Sequence, residues 1–142
     1  MAIEESVFAG DAWSPQNMRA ELAQPHGYYL VAQPDASDRI DAYAGLFAPQ
    51  GSPSGDIQTI AVAPHARRHG LGRVLMLQLL NEARRRGVSE VFLDVRADND
   101  SAQSLYRSLG FEAISTRKRY YKGGVDAIVM RLALPDPEVR PA

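Results

Sequence analysis

One stretch in the middle of the chain, from Ile57 to Leu80, constrains the fold more than any other. It begins with apolar and β-branched residues typical of a buried strand. It then passes through a polar turn containing Gly70 and Gly72 and continues with helical periodicity from Val74. A strand that enters a helix through such a turn directs unpaired backbone N–H groups and the positive end of the helix dipole at one point. The stretch therefore predicts an anion site, most plausibly for a phosphate ester.

The two glycines of this turn have two possible roles, and the residues around them help to decide between these roles. Gly70 and Gly72 could simply let a strand turn into a helix, and an isolated G-x-G pattern does not distinguish that role from phosphate binding. Phosphate binding is favoured because basic side chains crowd the turn although the whole chain has a formal net charge of -1. A Walker-type loop is excluded because no G-K-[ST] follows, and a dinucleotide fingerprint is excluded because Leu75 occupies its third glycine position. The basic residues are Arg67, Arg68, His69 and Arg73.

The composition is that of an ordinary globular protein with one domain. Its 142 residues are enough for a single hydrophobic core. The absence of cysteine excludes disulfides, thiolate metal ligands and an acyl-cysteine intermediate, so any acyl transfer should be direct. We expect a cytoplasmic protein, since no apolar run has membrane-spanning length and the N-terminus lacks the features of a signal peptide. A pI near 6.3 gives no support for non-specific binding to nucleic acid, and neither nucleic acid nor a membrane is expected as a partner.

Hydrophobic periodicity along the chain predicts an α/β domain. Residues 1–8, with Ile3 and Val7 at i,i+4, are predicted to be the end of a helix. Another helix would start at Pro15, because Met18 and Leu22 follow at helical spacing. Two further helices are predicted at 74–86 and 101–109. Because a helix separates them, the strands before and after the helix at 74–86 should form a parallel pair in mid-sheet. The predicted strands are 28–33, 40–47, 57–62, 91–95, 117–122 and 126–134.

Three consecutive arginines, residues 84–86, precede Gly87. Cations over the last carbonyl groups and a glycine just beyond them are typical of the end of a helix. A nucleic-acid-binding patch is the alternative. We favour the helix end.

The turn and three later segments resemble one enzyme family. The hexapeptide at 67–72 is similar to the R/Q-x-x-G-x-G/A signature with which the GCN5-related N-acetyltransferases (GNATs) hold the pyrophosphate of acetyl-coenzyme A. In order and spacing, segments 93–99, 102–111 and 119–130 resemble the RimI branch. RimI enzymes acetylate protein N-termini, best known for the N-terminal alanine of a small-subunit ribosomal protein. The resemblance covers about residues 7–134.

The resemblance implies a GNAT fold, which is a mixed central β-sheet with splayed parallel strands flanked by helices. Residues 1–134 would form this single domain, and 135–142 a flexible C-terminal tail. GNAT chains normally begin with a strand, and residues 1–8 are too short to supply it. Either the chain is truncated at its start, or the sheet lacks its first strand and exposes an edge. Such an edge would allow a weak homodimer beside the monomer.

The resemblance also implies acetyl-coenzyme A as co-substrate, with no metal. The pantetheine arm would lie between the splayed strands, along the backbone of Ile60, Ala61 and Val62, although ordinary strand pairing is the alternative role for these three. Asn99 is either a turn residue or a partner of a pantetheine amide, and both roles can hold. The pyrophosphate would bind Arg67, Arg68, His69, Gly70, Leu71, Gly72 and Arg73.

Two side chains are candidates for proton transfer. Asp94 lies in an otherwise apolar strand, and there it either pairs with a neighbouring arginine or takes the proton of the attacking amine, directly or through water. The resemblance favours the second role, although RimI enzymes commonly carry glutamate here. Tyr106 stands where GNAT enzymes have the tyrosine that donates to the coenzyme sulfur, and a core position with a surface hydroxyl is the alternative.

The acceptor is expected to be a protein or peptide N-terminus, with a ribosomal protein as one candidate. Tyr120 and Tyr121, in an extended segment, would face opposite ways, and the resemblance places them in the peptide slot; both could instead pack on the sheet. Trp13 is either a packing anchor or a wall of the acceptor groove.

His65 and His69 are not expected to bind metal, since their turn will not hold them on one helix face. The remaining alternatives are a GNAT acting on lysine side chains or small amines, and a non-catalytic coenzyme A-binding subunit.

Overall fold

The computed structural model describes residues 16–23, 27–34, 40–49, 51–63 and 70–134. These residues form a seven-stranded sheet in the order β1-β2-β3-β4-β5-β7-β6, together with two helices. β4 and β5 are parallel, and every other neighbouring pair is antiparallel, which confirms the predicted mixed sheet. The elements are β1 (Gln16–Ala23), β2 (Gly27–Pro34), β3 (Ala42–Phe47), β4 (Ser54–Val62), α1 (Leu71–Arg85), β5 (Glu90–Arg96), α2 (Asp100–Ser108), β6 (Glu112–Arg117) and β7 (Ala127–Ala133).

Helix α1 forms where apolar side chains recur at helical spacing, and it covers one face of the sheet. Leu75, Met76 and Leu79 are fully buried, and the helix contacts β2, β3 and β4. Gly70 precedes its first turn with a φ of 73°, and Gly87 follows its end with a φ of 81°. Both lie in the left-handed region that glycine adopts without strain, so the two glycines set the limits of the helix.

The end of α1 is closed by a buried ion pair. The Arg86 Nε atom lies 2.9 Å from Glu82 Oε2, and the two side chains are 9% and 10% exposed. The Arg86 guanidinium also donates to the carbonyl oxygens of Ala48 at 3.1 Å and Gly27 at 3.3 Å, and lies 5.8 Å from the centre of the Tyr28 ring. These contacts tie the helix to β2 and β3, so Arg86 serves the fold and is not free for nucleic acid.

The parallel strands β4 and β5 pair only over their first residues. Ser54, Gly55 and Asp56 lie opposite Glu90, Val91 and Phe92, and the register stops there. Beyond this point the two strands separate, as predicted for a splayed pair. A gap therefore lies between residues 57–62 of β4 and residues 93–96 of β5.

Side chains on these two strands alternate between the faces of the sheet. Ile57 and Leu93 point into the core, whereas Asp56 and Asp94 lie on the opposite, exposed face. The placement of Asp94 opposite its apolar neighbours agrees with the alternation in the sequence. The carboxylates of Asp56 and Asp94 therefore lie on the exposed face of the sheet, at the start of the gap.

The helix predicted from Pro15 is wrong. Residues 16–23 form β1, which pairs along its length with β2 at one edge of the sheet. The edge of β2, which one of the two alternatives left exposed, is therefore occupied. The i,i+4 spacing of Met18 and Leu22 indicated a helix, but long-range pairing with a neighbouring strand overrides such a local pattern.

The predicted strand at 117–122 is also wrong, because the strand lies earlier in the chain. β6 runs from Glu112 to Arg117, and residues 118–126 form the loop to β7, in which Arg119 has a φ of 53°. All residues of β6 are exposed, so the strand carries no alternation of apolar and polar side chains that would reveal it.

Several predictions concern residues outside the described part of the chain. These are the helix end at 1–8, the role of Trp13, the basic residues Arg67, Arg68 and His69, and the tail at 135–142.

Candidate active site

A cavity of about 300 Å³ opens where β4 and β5 separate. Beyond Asp56, β4 has no strand partner on its β5 side, so an extended polar chain could hydrogen-bond to it as a strand would. Of the residues predicted for the site, the cavity brings together Ile60, Asp94, Asn99, Tyr106 and Tyr121, whereas Ala61 and Val62 follow on β4. The remaining lining residues are Ile57, Gln58, Thr59, Leu93, Val95, Arg96 and Ala102.

The start of α1 has the features of an anion cradle. Its N-cap is Gly70, which has no side chain to cap the first turn, and no acidic residue lies in that turn. Leu71 is buried, so only its backbone can face a ligand. At Gly72, a Cβ atom would lie 3.4 Å from Leu105 of α2, so a side chain would fill the space between the two helices. The helix dipole, the backbone N–H groups of the first turn and the space left by the glycines are therefore suited to bind a phosphate group at the start of α1.

Arg73, also predicted to contact phosphate, makes a different contact. Its Nη1 atom donates to Ser108 Oγ at 2.7 Å and so links the first turn of α1 to the last turn of α2. The side chain is exposed. The contact therefore links the two helices at an exposed position, and the guanidinium remains near the start of α1.

Asp94 lies on β5 at the gap, with its side chain 29% exposed. Its Oδ1 atom is 3.4 Å from Arg117 Nε, a long single contact with a guanidinium that is 56% exposed. The arginine pair that the sequence left open is thus present. Such an exposed pair contributes little to stability, so it does not prevent Asp94 from meeting another cation.

A second carboxylate, Asp56, lies beside Asp94 at the point where the strands part. Desolvation raises the pKa of Asp56 above its usual value, and the negative charge of Asp94 raises it further. Sequence reasoning missed Asp56. The sequence did contain a signal for it. Asp56 directly precedes the buried Ile57, so the alternation of side chains along a strand places Asp56 on the exposed face, as it does Asp94.

Tyr106 of α2 is buried with 5% of its surface exposed, and it lines the cavity. Its ring packs edge-on against Phe111, with the ring centres 6.1 Å apart. Burial, with a smaller contribution from Tyr121, raises the pKa of Tyr106 to about 12. The phenol is therefore protonated at neutral pH. In the described chain, no residue hydrogen-bonds its hydroxyl, which leaves a hydrogen-bond donor for a ligand in the cavity.

Comparison with known proteins identifies the family. Residues 2–111 match the model of the acetyltransferase (GNAT) family. The chain is 40% identical over 139 residues to the N-alpha-acetyltransferase RimI of Mycobacterium tuberculosis, covering 95% of this chain and 85% of that protein. It belongs to the GNAT acetyltransferase family.

Other relatives support the RimI-like resemblance. The [ribosomal protein bS18]-alanine N-acetyltransferase of Salmonella typhimurium is 39% identical over 109 residues, covering 75% of this chain and 72% of that protein. The crystal structure of the ribosomal-protein-S18-alanine N-acetyltransferase from Escherichia coli superposes with a TM-score of 0.70 at 31% identity, covering 83% of this chain and 77% of that chain. The resemblance noted from the sequence is confirmed.

In this GNAT protein, Asn99 has the structural role that the sequence allowed. It is the N-cap of α2, and its side-chain oxygen accepts from the Ala102 N–H at 3.0 Å and from the Ser101 hydroxyl at 3.2 Å. The residue also lines the cavity. Because the cap uses the oxygen, the amide nitrogen is the part that remains for a ligand.

The two consecutive tyrosines do not face opposite ways from a strand. They lie in the loop after β6, and their rings contact each other edge-on with centres 5.1 Å apart. Tyr121 lines the cavity and is covered by Arg96, whose guanidinium carbon lies 5.3 Å from the ring centre. Tyr120 is 55% exposed and lies beside Arg117. One ring therefore forms a wall of the cavity, and the other lies at its rim.

The site combines a strand edge that pairs with no other described strand, a carboxylate and a buried phenol. Arg96 and Arg117 also border it, and sequence reasoning did not single them out. Arg96 could have been found from the sequence, because it lies two residues after Asp94 and so on the same face of the strand.

No helix within the described residues is long and apolar enough to cross a membrane. Within the same residues, no group of histidine and acidic side chains is arranged to hold a metal ion.

Proposed function

We propose that this protein transfers the acetyl group of acetyl-coenzyme A directly to the α-amino group of a protein N-terminus. The observation that carries the proposal is that Asp94 and Tyr106 line one cavity at the separation of β4 and β5. Relatives named as N-terminal and ribosomal-protein-alanine acetyltransferases support the acceptor class. A ribosomal protein is the first candidate acceptor, which would place the reaction in the cytoplasm.

The residues present fit the coenzyme. The uncapped first turn of α1 would hold the pyrophosphate through the N–H groups of Leu71 and Gly72, with Arg67, Arg68, His69 and Arg73 supplying positive charge. The edge of β4 from Ile60 through Ala61 and Val62 would align the pantetheine, and the Asn99 amide nitrogen would donate to it. Bound there, acetyl-coenzyme A supplies the activated thioester. Alignment of two reactants in one cavity contributes much of the rate enhancement.

Asp94 is the proposed proton acceptor. An α-ammonium group must lose a proton before it can attack, and Asp94 is the carboxylate that lines the cavity. It is one methylene shorter than the glutamate common in RimI enzymes, so we propose that a water molecule relays the proton. Asp56, at the start of the gap, adds negative charge that attracts the ammonium group.

Tyr106 is the proposed proton donor. Its raised pKa, about 12, keeps the phenol protonated, so it can donate to the sulfur as the thiolate departs. Because a thiol has a pKa of about 8.5, below that of the phenol, full transfer is uphill, so the hydroxyl donates a hydrogen bond as negative charge develops on sulfur. A proton that passes to the thiolate is replaced on the phenol from solvent. Tyr121 and Tyr120 would border the entering peptide, and Trp13 is proposed as a further wall of the acceptor groove.

The direct test is an acetylation assay with mass-spectrometric assignment of the modified atom. The acceptors are a peptide with a free N-terminal alanine, the same peptide with a blocked N-terminus and an internal lysine, and spermidine. We expect acetylation of the free α-amine alone. Preferential acetylation of lysine or spermidine would contradict the acceptor class. Coenzyme A binding without turnover of any acceptor would indicate a non-catalytic subunit.

A further inference from the structure

The side chain of Gln58 is held in one direction at the wall of the cavity. Gln58 lies on β4 and lines the cavity, and its Oε1 atom accepts from the Tyr29 hydroxyl at 3.1 Å. Tyr29 belongs to β2, and β3 lies between these two strands. The hydrogen bond therefore crosses the whole width of β3 and fixes a polar side chain of the cavity.

Two local features of the sheet make this contact possible. Gly45 of β3 lies opposite Tyr29, and a Cβ atom built on Gly45 would overlap the Tyr29 ring, so only glycine leaves room for the ring to cross β3. On β4, Gln58 is the extra residue of a β-bulge, because the register with β3 shifts across it. Bulges redirect side chains and are frequent beside active sites.

Tyr29 and Gln58 meet on the face of the sheet that carries the two carboxylates. Paired residues of neighbouring strands share a face, so Tyr29 lies on the same face as Gly45. Gly45 is two residues from Phe47, which pairs with Asp56, and alternation puts both of these on that face as well. Helix α1 covers the opposite face, so the carboxylates and the amide share the side from which an acceptor would enter.

The contact with Tyr29 leaves the Gln58 amide as a hydrogen-bond donor. Its oxygen is used by the Tyr29 hydroxyl, so the amide nitrogen, with its two N–H groups, is the part that can meet a ligand. The other side-chain amide that lines the cavity is that of Asn99, which the proposed function assigns to the pantetheine. Gln58 is therefore the side-chain amide that remains for the acceptor.

A donor at this place determines which acceptors fit. An amide N–H group cannot pair with an ammonium group, which also only donates, but it can donate to a carbonyl oxygen. In a protein N-terminus such an oxygen belongs to the residue that carries the α-amine, and only two carbon atoms separate it from the nitrogen. In a lysine side chain or in spermidine, methylene groups follow the amine instead.

We propose that Gln58 is a specificity-determining residue that donates to the carbonyl oxygen of the acetylated residue, and that Tyr29 is the positioning residue that orients it. An α-amine held in this way makes a hydrogen bond that an ε-amine cannot make. The contact is compatible with a water molecule between the amine and Asp94, because it holds the peptide through a different atom. This inference rests on the proposed function and states how the site would recognise an α-amine.

The test uses two acceptors that differ at the first peptide bond. One is a peptide with a free N-terminal alanine, and in the other a trans carbon–carbon double bond replaces the first peptide bond and removes its carbonyl oxygen. For Gln58→Met, which keeps the side-chain length but cannot donate, we expect KM for the peptide to rise about fivefold, as for the loss of one neutral hydrogen bond. The kcat for the peptide and both constants for the alkene should stay within about twofold.

Tyr29→Phe tests the positioning role, because it keeps the ring and removes only the hydroxyl. We expect KM for the peptide to rise about threefold, without change for the alkene, since Gln58 keeps its donor but loses its fixed direction. Tyr43→Phe is the matched control. Tyr43 lies on the neighbouring strand β3, is 46% exposed and does not line the cavity, so this variant should leave both acceptors unchanged.

A purely structural role of Gln58 would lower the melting temperature and slow both acceptors alike. The inference is overturned if Gln58→Met affects the two acceptors equally or leaves the peptide unaffected, or if Tyr29→Phe behaves like Tyr43→Phe. In each of these cases the α-amine of the peptide is still acetylated, so the proposed function stands. Failure of the unaltered enzyme to acetylate the peptide would refute the proposed function and this inference together.

Discussion

The two ends of the β4–β5 pair differ in how their polar groups are satisfied. At the end where the strands are hydrogen-bonded, Glu90 accepts from Arg131 at 2.7 Å and from Ser54 at 3.1 Å. At the end where they separate, the partner of Asp94 is 3.4 Å away, and no described side chain bonds the Tyr106 hydroxyl. We call the hydrogen-bonded end, at residues 54–56 and 90–92, the closed end, and the separated end the open end. At the closed end the polar groups hydrogen-bond to one another and stabilise the fold, whereas at the open end they remain available to a ligand.

The comparison extends to the helices on each side. The C-terminal end of α1, over the closed end, is tied down by the buried Arg86–Glu82 pair. Its N-terminal end, at the open end, has no side-chain cap. Substitutions at the closed end should therefore change stability more than catalysis, and substitutions at the open end should do the reverse.

The largest effect is expected at the closed end, for Arg86→Met. Removal of Arg86 leaves Glu82 with only the exposed Arg85 as a counter-charge and breaks the hydrogen bonds to the Ala48 and Gly27 carbonyl oxygens, so the free energy of unfolding should fall by about 3 kcal/mol. Urea unfolding measures the loss, and kcat of the folded protein should stay near its original value. The exposed Arg84→Met is the matched control, with an expected loss under about 0.5 kcal/mol. Equal losses for the two variants would refute the distinction between a buried and an exposed arginine.

At the open end, Asp94→Asn should lower kcat about a hundredfold, because the amide cannot accept the ammonium proton. The melting temperature should change little, since the Asp94–Arg117 contact is long and exposed. Steady-state kinetics with an N-terminal alanine peptide and a thermal melt check both values. A variant that keeps full activity would exclude Asp94 as the proton acceptor.

Tyr106→Phe should lower kcat about thirtyfold by removal of the proton donor. Because the pKa of Tyr106 is raised to about 12, its ionisation should not shape the rate profile between about pH 6 and pH 10. The pH profiles of the variant and the parent should therefore have the same shape at different heights. An alkaline decline present in the parent and absent from the variant would contradict this assignment.

The smallest effect concerns stability at alkaline pH. The unfolded tyrosine loses its proton near its model value of 10.0, before the buried one near 12. Above pH 10 the unfolded state therefore binds fewer protons than the folded state, and stability falls as pH rises. By about pH 11 the parent should have lost about 1 kcal/mol more than Tyr106→Phe, relative to pH 9. Parallel curves in urea unfolding would show that Tyr106 is not desolvated.

Local patterns in the sequence predicted the centre of the fold. The periodicity of α1, Gly70, Gly87 and the alternation of β5 all produce a signal within a few residues, and the structure has each where expected. The placement of Asp94 on the exposed face followed from the same alternation. These features are predictable because neighbouring residues determine them.

The features that were missed depend on distant residues. The strand β6 is exposed throughout and has no apolar pattern, and β1 was assigned as helix although its pairing with β2 decides its conformation. The contact between Arg117 and Asp94 crosses β7, since Arg117 lies opposite Ala127 and Asp94 opposite Val129. No pattern of neighbouring residues encodes the pairing of β5 and β6 with β7. The sequence therefore indicated that Asp94 could pair with an arginine, but it did not indicate which one.

A crystal structure of the protein with coenzyme A tests the central claim most directly. The account predicts the pyrophosphate at the N–H groups of Leu71 and Gly72, the pantetheine between β4 and β5, and the sulfur within about 3.5 Å of the Tyr106 hydroxyl. A coenzyme bound outside the gap between these strands, or with its sulfur remote from Tyr106, would contradict it.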